Sequence, residues 1–179
     1  MVQSKAKLIK KAKNIKLIAC DVDGVLTRGE IIVFNNGEEI KIWNVKDGLG
    51  YYELKRVSPQ IKTAWITGRE SEQVKQRAES MEIDYLVQNC MGKKAAFNAI
   101  LKETGMKASQ AVYIGDDIVD IPVLKLAGLS VCPLDCVEEV KKHADMVSSF
   151  KGGEGVVREV IETVLKANGK WKAVLEKYK

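Results

Sequence analysis

The stretch Ile15-Lys-Leu-Ile-Ala-Cys-Asp-Val-Asp-Gly-Val-Leu-Thr27 joins a nearly continuous apolar run to two closely spaced carboxylates. The apolar run of residues 15–20 predicts a strand buried on both faces, as found in parallel sheets. Asp21 and Asp23 follow this strand two residues apart, so both carboxylates can face one cavity. A lone Asp-x-Asp-Gly motif is more often a solvated turn than a catalytic site, so its meaning depends on the rest of the chain.

Strand and helix patterns alternate along the remainder of the sequence. Apolar runs predict strands at 61–66, 84–87, 111–114, 129–132 and 146–148, and helical spacing predicts helices at 48–57, 71–81, 93–104, 118–127, 137–143 and 155–167. This alternation predicts an α/β fold, a doubly wound, Rossmann-like parallel sheet with helices on both faces. Residues 30–44 differ, because two β-type runs flank Asn35-Asn36-Gly37 and predict a protruding β-hairpin.

The chain has 179 residues, which is enough for one well-buried domain and too few for two ordinary ones. We divide it into a basic N-terminal arm (1–14), a central domain (15–168) and a C-terminal tail (169–179). The arm is interpreted either as a short amphipathic helix or as a solvated segment, and the tail is expected to fray. The excess positive charge lies in the two ends and the middle is net negative, so we expect no nucleic-acid partner.

Composition excludes several other classes of protein. No apolar run approaches the roughly 20 residues that a membrane span needs, and no apolar block follows the basic N-terminus. We therefore expect no membrane association, no signal peptide and a cytoplasmic protein. The four cysteines form no Cys-x-x-Cys pair and the chain has one histidine, so a zinc site or a disulfide framework is not expected.

Chemically capable side chains recur where predicted strands end. Thr67, Gly68 and Arg69 follow the second predicted sheet strand, Lys93 stands after the third, and three carboxylates follow the fourth: Asp116, Asp117 and Asp120. Parallel strands end on one edge of a sheet, where ligands bind. Each feature alone has an ordinary explanation as a turn, a helix cap or a solvated charge. Their repeated position after strands favours a single site.

Five carboxylates in one crevice repel one another unless a cation compensates their charge. A hard, oxygen-preferring ion with few protein ligands fits such a set, which predicts Mg²⁺. Lys93 and the backbone amides near Thr67 and Gly68 suit a phosphoryl group. An aspartate can then act as the nucleophile and form an aspartyl-phosphate. The sequence thus predicts metal-assisted phosphoryl transfer.

Four motifs in this chain resemble those of the haloacid dehalogenase superfamily of phosphotransferases: Asp21-Val-Asp-Gly-Val-Leu-Thr27, Ile66-Thr-Gly-Arg69, Lys93 and Gly115-Asp-Asp-Ile-Val-Asp120. Three more resemble its branch of 3-deoxy-D-manno-octulosonate (Kdo) 8-phosphate phosphatases: Asn44-Val-Lys-Asp-Gly-Leu-Gly50, Gly152-Gly-Glu-Gly-Val-Val-Arg-Glu159 and Gly169-Lys-Trp171. The likeness extends over residues 15–171. It implies that the central domain releases Kdo and phosphate in lipopolysaccharide precursor synthesis.

The resemblance also implies a role for each matched residue. Asp21 would attack phosphorus, while Asp23 would protonate the leaving alcohol and later deprotonate the attacking water. Mg²⁺ would be held by the Asp21 and Asp116 carboxylates and the Asp23 main-chain carbonyl. Substrate would be bound by four residues: Thr67, Gly68, Arg69 and Lys93. Asp117 and Asp120 would support Lys93 or metal-bound waters from behind.

No cap domain interrupts the sequence, so the site of a monomer would be open. The resemblance implies a homotetramer whose 30–44 hairpins pack together, and the hairpin carries more apolar residues than an exposed ribbon should: Ile31, Ile32, Phe34, Ile40, Ile42 and Trp43. Departures from the branch pattern at Arg28, Lys46, Phe150 and Glu154 leave other substrates open, a nine-carbon 2-keto-3-deoxy sugar acid 9-phosphate or another small phosphate ester. Arg69 favours the Kdo branch. A non-catalytic oligomerisation module is the alternative from a different class.

Overall fold

The structure is a computed structural model that describes residues 5–179; residues 1–4 of the predicted arm lie outside this range. Its strands are β1 (Leu17–Cys20), β2 (Ile32–Val33), β3 (Glu39–Ile40), β4 (Lys62–Ile66), β5 (Tyr85–Val87), β6 (Ala111–Ile114), β7 (Leu129–Cys132) and β8 (Met146–Val147). Its helices are α1 (Lys5–Ala12), α2 (Val45–Val57), α3 (Glu72–Ser80), α4 (Lys93–Thr104), α5 (Ile121–Leu124), α6 (Glu138–Lys141), α7 (Val156–Ala167) and α8 (Trp171–Glu176).

Six strands form one sheet in the order β5-β4-β1-β6-β7-β8, and every neighbouring pair is parallel. From β1 the chain runs outward through β4 and β5 on one side, and then through β6, β7 and β8 on the other. This order confirms the predicted doubly wound sheet. Its topological switch point is β1, and the crevice beyond the carboxyl end of β1 is where such sheets bind ligands.

Helices cover both faces of the sheet, which therefore has two separate cores. Alternate residues of β1 point to opposite faces: Ile18 and Cys20 join the core under α1, α2, α3, α7 and α8, while Leu17 and Ala19 join the core under α4, α5 and α6. All four residues are fully buried. The near-continuous apolar run predicted a strand buried on both faces, and the structure confirms it.

The predicted helix at 118–127 is split into two pieces. Residues Ile118–Asp120 form a single tight turn, and α5 begins only at Ile121. Pro122 stands in the first turn of α5, where its missing N–H costs nothing, but it cannot donate within a helix continued from further back. The break leaves the chain free to turn around the Asp120 side chain.

Both ends of the described chain pack on the domain. The α1 helix buries Ala12 completely in the core shared with α7, so residues 5–12 are a packed helix and not a solvated segment. The expectation that the tail frays is wrong for Trp171–Glu176. There Val174 is buried and the Tyr178 hydroxyl donates to Glu53 at 2.5 Å. These anchors come from distant parts of the sequence.

The hairpin of β2 and β3 forms as predicted, with Ile32 opposite Ile40, although only two residues of each strand are paired. Most of its apolar side chains are exposed, as expected: Ile31, Ile32, Val33, Phe34, Ile40 and Ile42. Trp43 is the exception, because its ring stacks on Trp65 at 5.8 Å and belongs to the core. Within residues 5–179 no helix combines the length and apolarity that crossing a membrane requires.

Asp84 joins three elements at the end of the sheet remote from the carboxyl edge of β1. Its carboxylate accepts hydrogen bonds from Lys55 at 2.5 Å, from Lys62 at 2.9 Å, and from the backbone and hydroxyl of Thr63. Burial by itself would raise the pKa of Asp84, but these donors outweigh it and lower the pKa to about 2. The charged form therefore stabilises the fold.

We expect Asp84→Asn to destabilise the protein by about 1–2 kcal/mol at pH 7, after allowance for solvent screening. The folded pKa is depressed, so the contribution is present above about pH 4 and disappears as pH falls towards 2. Urea unfolding of both proteins between pH 7 and pH 3 measures this difference. A constant difference across that range would contradict the assignment, and Glu72→Gln on the surface of α3 is the control.

Candidate active site

The crevice at the carboxyl end of β1 holds a cavity of about 320 Å³. Its lining comes from the loops after β1, β6 and β7: Asp21, Asp23, Gly24, Arg28, Gly29, Asp116, Asp117, Val119 and Asp135. Four of the predicted site residues are therefore brought together, at the switch point of the sheet. The lining is strongly acidic, and it agrees with the predicted position of the site.

Asp21 extends the sheet by one residue, because its backbone N–H donates to Ile114 O at 2.9 Å. Its carboxylate is almost buried and accepts from the Val22 amide at 2.6 Å and from Lys93 Nζ at 2.6 Å. Burial raises the pKa of Asp21 to about 6, with the Asp120 charge in the same direction and Lys93 opposing. The carboxylate is held rigidly, with each oxygen bound by one donor.

Asp120 is fully buried, and both of its carboxylate oxygens accept hydrogen bonds from protein groups. One oxygen accepts from Lys93 Nζ at 2.8 Å and from the Tyr113 hydroxyl at 2.7 Å. The other accepts from the Asp116 and Asp117 backbone amides at 3.0 and 3.3 Å. With four donors on its two oxygens, Asp120 supports its neighbours and has little capacity left for a ligand.

Lys93 lies between Asp21 and Asp120 with its side chain only 4% exposed. Burial opposes its charge, but the two carboxylates outweigh burial and raise the pKa of Lys93. The ammonium therefore stays charged and offsets part of the negative charge of the crevice. A solvated lysine at a helix start, the ordinary explanation for this residue, is excluded.

Asp116 lacks comparable compensation. Its carboxyl oxygen approaches those of Asp21 and Asp120 within 4.8 Å, and burial together with these two charges raises the pKa of Asp116 to about 8. Its Oδ1 is buried without a hydrogen-bond partner in the described chain, as is Oδ2 of Asp23. An orphaned Asp116 oxygen beside the Asp21 and Asp120 carboxylates is a donor set that a hard divalent cation satisfies, so these residues fit Mg²⁺.

Gly24 makes the close approach of two loops possible. Its φ of +87° is in the left-handed region, and a Cβ at this position would lie 2.0 Å from Asp116 Oδ2. Any larger residue would push Asp116 out of the crevice. Gly24 of the first motif is therefore required if the Asp116 carboxylate of the last motif is to occupy this position.

The other predicted residues lie around this centre. Thr67 is buried at the end of β4, and its hydroxyl accepts from the Arg69 amide at 3.3 Å. Gly68 follows it, and the Arg69 guanidinium pairs with Glu39 of the hairpin. Asp117 is exposed at the rim, with its own carboxylate capping Ile118 N at 2.6 Å. Of the two aspartates predicted to support Lys93, it is Asp120 that contacts the lysine.

Two residues of the site, Lys41 and Tyr113, are not predicted as site residues by the sequence analysis. Lys41, just after β3, pairs with Asp23 although 18 residues separate them. Tyr113 lies inside an apolar strand and is predicted only as part of the core, yet its buried hydroxyl supports Asp120. Both contacts depend on the tertiary fold, and a titratable side chain within a buried strand is the one hint that points to Tyr113.

Two of the three motifs that resemble the Kdo 8-phosphate branch, residues 44–50 and 152–159, form one structural unit. Asn44 caps α2 through Lys46 N at 2.9 Å and donates to Gly153 O at 2.9 Å. Asp47 accepts from the Arg158 amide at 2.8 Å, and Gly153 N donates to Val25 O at 2.9 Å. The start of α2, the glycine-rich segment and the loop after β1 are therefore held together beside the crevice.

Comparison with known proteins shows the family to which the chain belongs. A family model described as haloacid dehalogenase-like hydrolase matches residues 78–160. The 3-deoxy-D-manno-octulosonate 8-phosphate phosphatase KdsC of Escherichia coli (strain K12) is 41% identical over 165 residues, which cover 92% of this chain and 87% of that protein. The chain belongs to the haloacid dehalogenase-like hydrolases, as its motifs predicted.

Solved structures of Kdo 8-phosphate phosphatases are similar to this chain over almost its whole length. The chain is similar to 3-deoxy-D-manno-octulosonate 8-phosphate phosphatase from Moraxella catarrhalis in complex with magnesium, phosphate and KDO, with a TM-score of 0.95, 36% identity and coverage of 98% of this chain and 100% of that one. The Yersinia pestis enzyme of the same name gives a TM-score of 0.89 and 39% identity, covering 93% and 89% of the two chains.

Proposed function

We propose that this chain hydrolyses Kdo 8-phosphate to Kdo and phosphate, with Mg²⁺ as cofactor and Asp21 as nucleophile, in lipopolysaccharide precursor synthesis. The observation that carries the proposal is the buried Asp21 carboxylate at the sheet switch point, held by Lys93 beside the unsatisfied Asp116. Likeness over almost the full length to phosphatases of this name supports the substrate.

In the proposed reaction the Asp21 carboxylate attacks phosphorus while Asp23 gives a proton to the leaving sugar oxygen. Asp23 then takes a proton from water, and the resulting hydroxide cleaves the aspartyl-phosphate. The Asp21 and Asp116 carboxylates and the Asp23 main-chain carbonyl would hold Mg²⁺, which would supply positive charge against the phosphoryl oxygens. Lys93 stays fixed through both steps because Asp120 holds it from behind.

Substrate binding is assigned to the groups at the ends of β4 and β5. Thr67 and Lys93 bind phosphoryl oxygens, and Gly68 leaves room for the phosphoryl group beside the Thr67 backbone. The Arg69 guanidinium contacts the sugar acid, replacing its present pairing with Glu39 by an equivalent carboxylate. Asp117 acts from the rim through bound water. The position of Arg69 on the same side as the hairpin supports this arrangement.

A panel of phosphate esters tests the proposed substrate. We expect kcat/KM for Kdo 8-phosphate to exceed that for a nine-carbon 2-keto-3-deoxy sugar acid 9-phosphate and for hexose 6-phosphates by at least about 100-fold, because a recognised polar group is worth a few kcal/mol. Preference for the nine-carbon ester would overturn the substrate and leave the chemistry intact. Absence of turnover on every ester with Mg²⁺ present would instead favour the non-catalytic oligomerisation module.

We also propose a homotetramer assembled through the 30–44 hairpins, in the cytoplasm and without a membrane or nucleic-acid partner. The apolar residues that the hairpin exposes support the assembly. The four cysteines, all free, support a reducing compartment.

Phe34→Glu tests the proposed assembly. The molecular mass measured by sedimentation is expected to fall below that of a tetramer, because a charge in an apolar interface costs several kcal/mol. Activity is expected to fall with it, since the neighbouring subunit covers the site. Leu175→Glu alters an equally exposed apolar side chain on α8 and serves as the control. A wild-type protein that sediments as a monomer would contradict the proposal.

A further inference from the structure

Lys41 is the one lysine of the hairpin, and it is directed inward. Its side chain is 3% exposed and its Nζ binds Asp23 Oδ1. Burying an ammonium group is costly unless a carboxylate partner and a defined geometry compensate. By contrast, the lysine side chain of a surface pair such as Lys142 with Glu139 is 67% exposed. The Lys41 contact therefore belongs to the interior of the crevice.

The two oxygens of Asp23 have different surroundings. Oδ1 takes the Lys41 ammonium, and the Thr27 hydroxyl lies 3.5 Å from the same atom. Oδ2 is buried and has no hydrogen-bond partner among the described residues. The ion pair therefore fixes the rotation of the carboxylate, and only Oδ2 is available to exchange a proton with a reacting oxygen.

A second contact shows that the segment of β3 and Lys41 lies against the site as a unit. Glu39 stands two residues earlier on the same edge of the hairpin, and it pairs with Arg69 after β4. Residues two apart in an extended segment point to the same side. One short segment thus contacts the loop after β1 through Lys41 and the loop after β4 through Glu39.

We propose that Lys41 is a positioning residue that orients Asp23 so that Oδ2 faces the oxygen of the leaving alcohol. This inference rests on the proposed function, in which Asp23 is the acid in the first step. Lys41 contacts neither phosphorus nor the leaving group. Its loss lets the Asp23 carboxyl group rotate, so that a proton on Oδ2 no longer faces the leaving oxygen, while the attack of Asp21 remains possible.

Two substrates whose leaving groups differ in their need for a proton distinguish a role in orienting Asp23 from a general role in folding or phosphate binding. The alkoxide leaving Kdo 8-phosphate must be protonated, whereas the phenolate leaving p-nitrophenyl phosphate departs without a proton. kcat/KM reports the steps up to the first irreversible one, which is phosphorylation of Asp21. For Lys41→Met we expect kcat/KM to fall about 100-fold with the sugar phosphate, within the range of general acid catalysis, and less than about threefold with the aryl phosphate.

Lys41→Arg keeps the cation and is expected to recover most of the lost activity with the sugar phosphate. Lys55→Met is the matched control, since it removes a lysine that is likewise bound to a carboxylate, Asp84, away from the crevice. That control should lower stability without altering the ratio between the two substrates. If Lys41→Met fails to fold, Lys41→Gln, which retains a neutral donor, is measured instead against the same two esters.

Equal losses with both esters would overturn the proposal, because they would indicate a contact to the shared phosphoryl group or a structural defect. A folded variant with wild-type kcat/KM for both esters would overturn the proposal as well. Failure of the wild-type protein to hydrolyse either ester is a different result, since it would refute the proposed function on which the inference rests.

Discussion

Asp21→Asn is expected to abolish phosphate release, with kcat lowered by at least about 10⁴-fold, in line with the loss of other catalytic nucleophiles. The carboxamide is a poor nucleophile, and no other carboxylate can replace it: Asp120 is enclosed by four donors, and Asp116 belongs to the next strand end. Kdo 8-phosphate with saturating Mg²⁺ is the assay, and phosphate is the measured product.

The substitution nearly preserves size, and it removes one of three carboxyl groups whose oxygens lie within 4.8 Å of one another. The folded state should therefore be retained, and the melting temperature is expected to stay within a few degrees of the wild-type value. Asp84→Asn is the matched control, because it changes stability and leaves the crevice untouched. Phosphate release by Asp21→Asn at more than about a hundredth of the wild-type rate would refute the nucleophile assignment.

Lys93→Met is expected to have the second largest effect, on both activity and stability. Removing one partner of a buried ion pair typically costs about 3–5 kcal/mol, and here the ammonium serves two buried carboxylates. The phosphoryl group also loses a positive charge, so we expect kcat/KM to fall by about 10³-fold. Urea unfolding and steady-state kinetics measure the two effects separately.

The dependence on Mg²⁺ makes the same prediction more specific. Without Lys93 the carboxylates have less compensation, so added Mg²⁺ should stabilise Lys93→Met more than it stabilises the wild-type protein. Unfolding curves in EDTA and in excess Mg²⁺ provide the comparison. Lys94→Met, one residue further along α4 and exposed, is the control. Equal stabilisation of the two proteins by Mg²⁺ would contradict the idea that Lys93 offsets the charge of the site.

The fold and the chemical centre can be predicted from local sequence features. An apolar run such as residues 15–20 predicts a buried parallel strand, and the geometry of parallel sheets then requires that the loops at the carboxyl ends of the strands converge. For this reason the sequence alone predicts that Asp21, Lys93 and Asp116 lie together. In the structure Lys93 binds Asp21 at 2.6 Å, and the Asp21 and Asp116 carboxyl oxygens lie within 4.8 Å of each other.

Contacts that depend on long-range packing could not be predicted in this way. Lys41 meets Asp23 only because the hairpin turns back over the loop after β1, and the alternation of the hairpin residues does not distinguish an inward lysine from a solvated one. The packing of Val174 and Tyr178 against the domain likewise cannot be predicted from the sequence of the tail. For this reason the sequence predicts a frayed tail where the structure has a packed helix.

The hydrogen bond from the Asp21 amide to Ile114 has a consequence for how enzymes of this design can diversify. Since the backbone of Asp21, the proposed nucleophile, continues the ladder of the central sheet, it is preorganised before substrate arrives, and binding energy need not be spent on ordering it. In the proposed function the organic part of the substrate is contacted by Arg69, which lies on a different segment, after β4. Mutations there can change which alcohol is released while the reacting atoms keep their geometry, so new substrate preferences can evolve without rebuilding the catalyst.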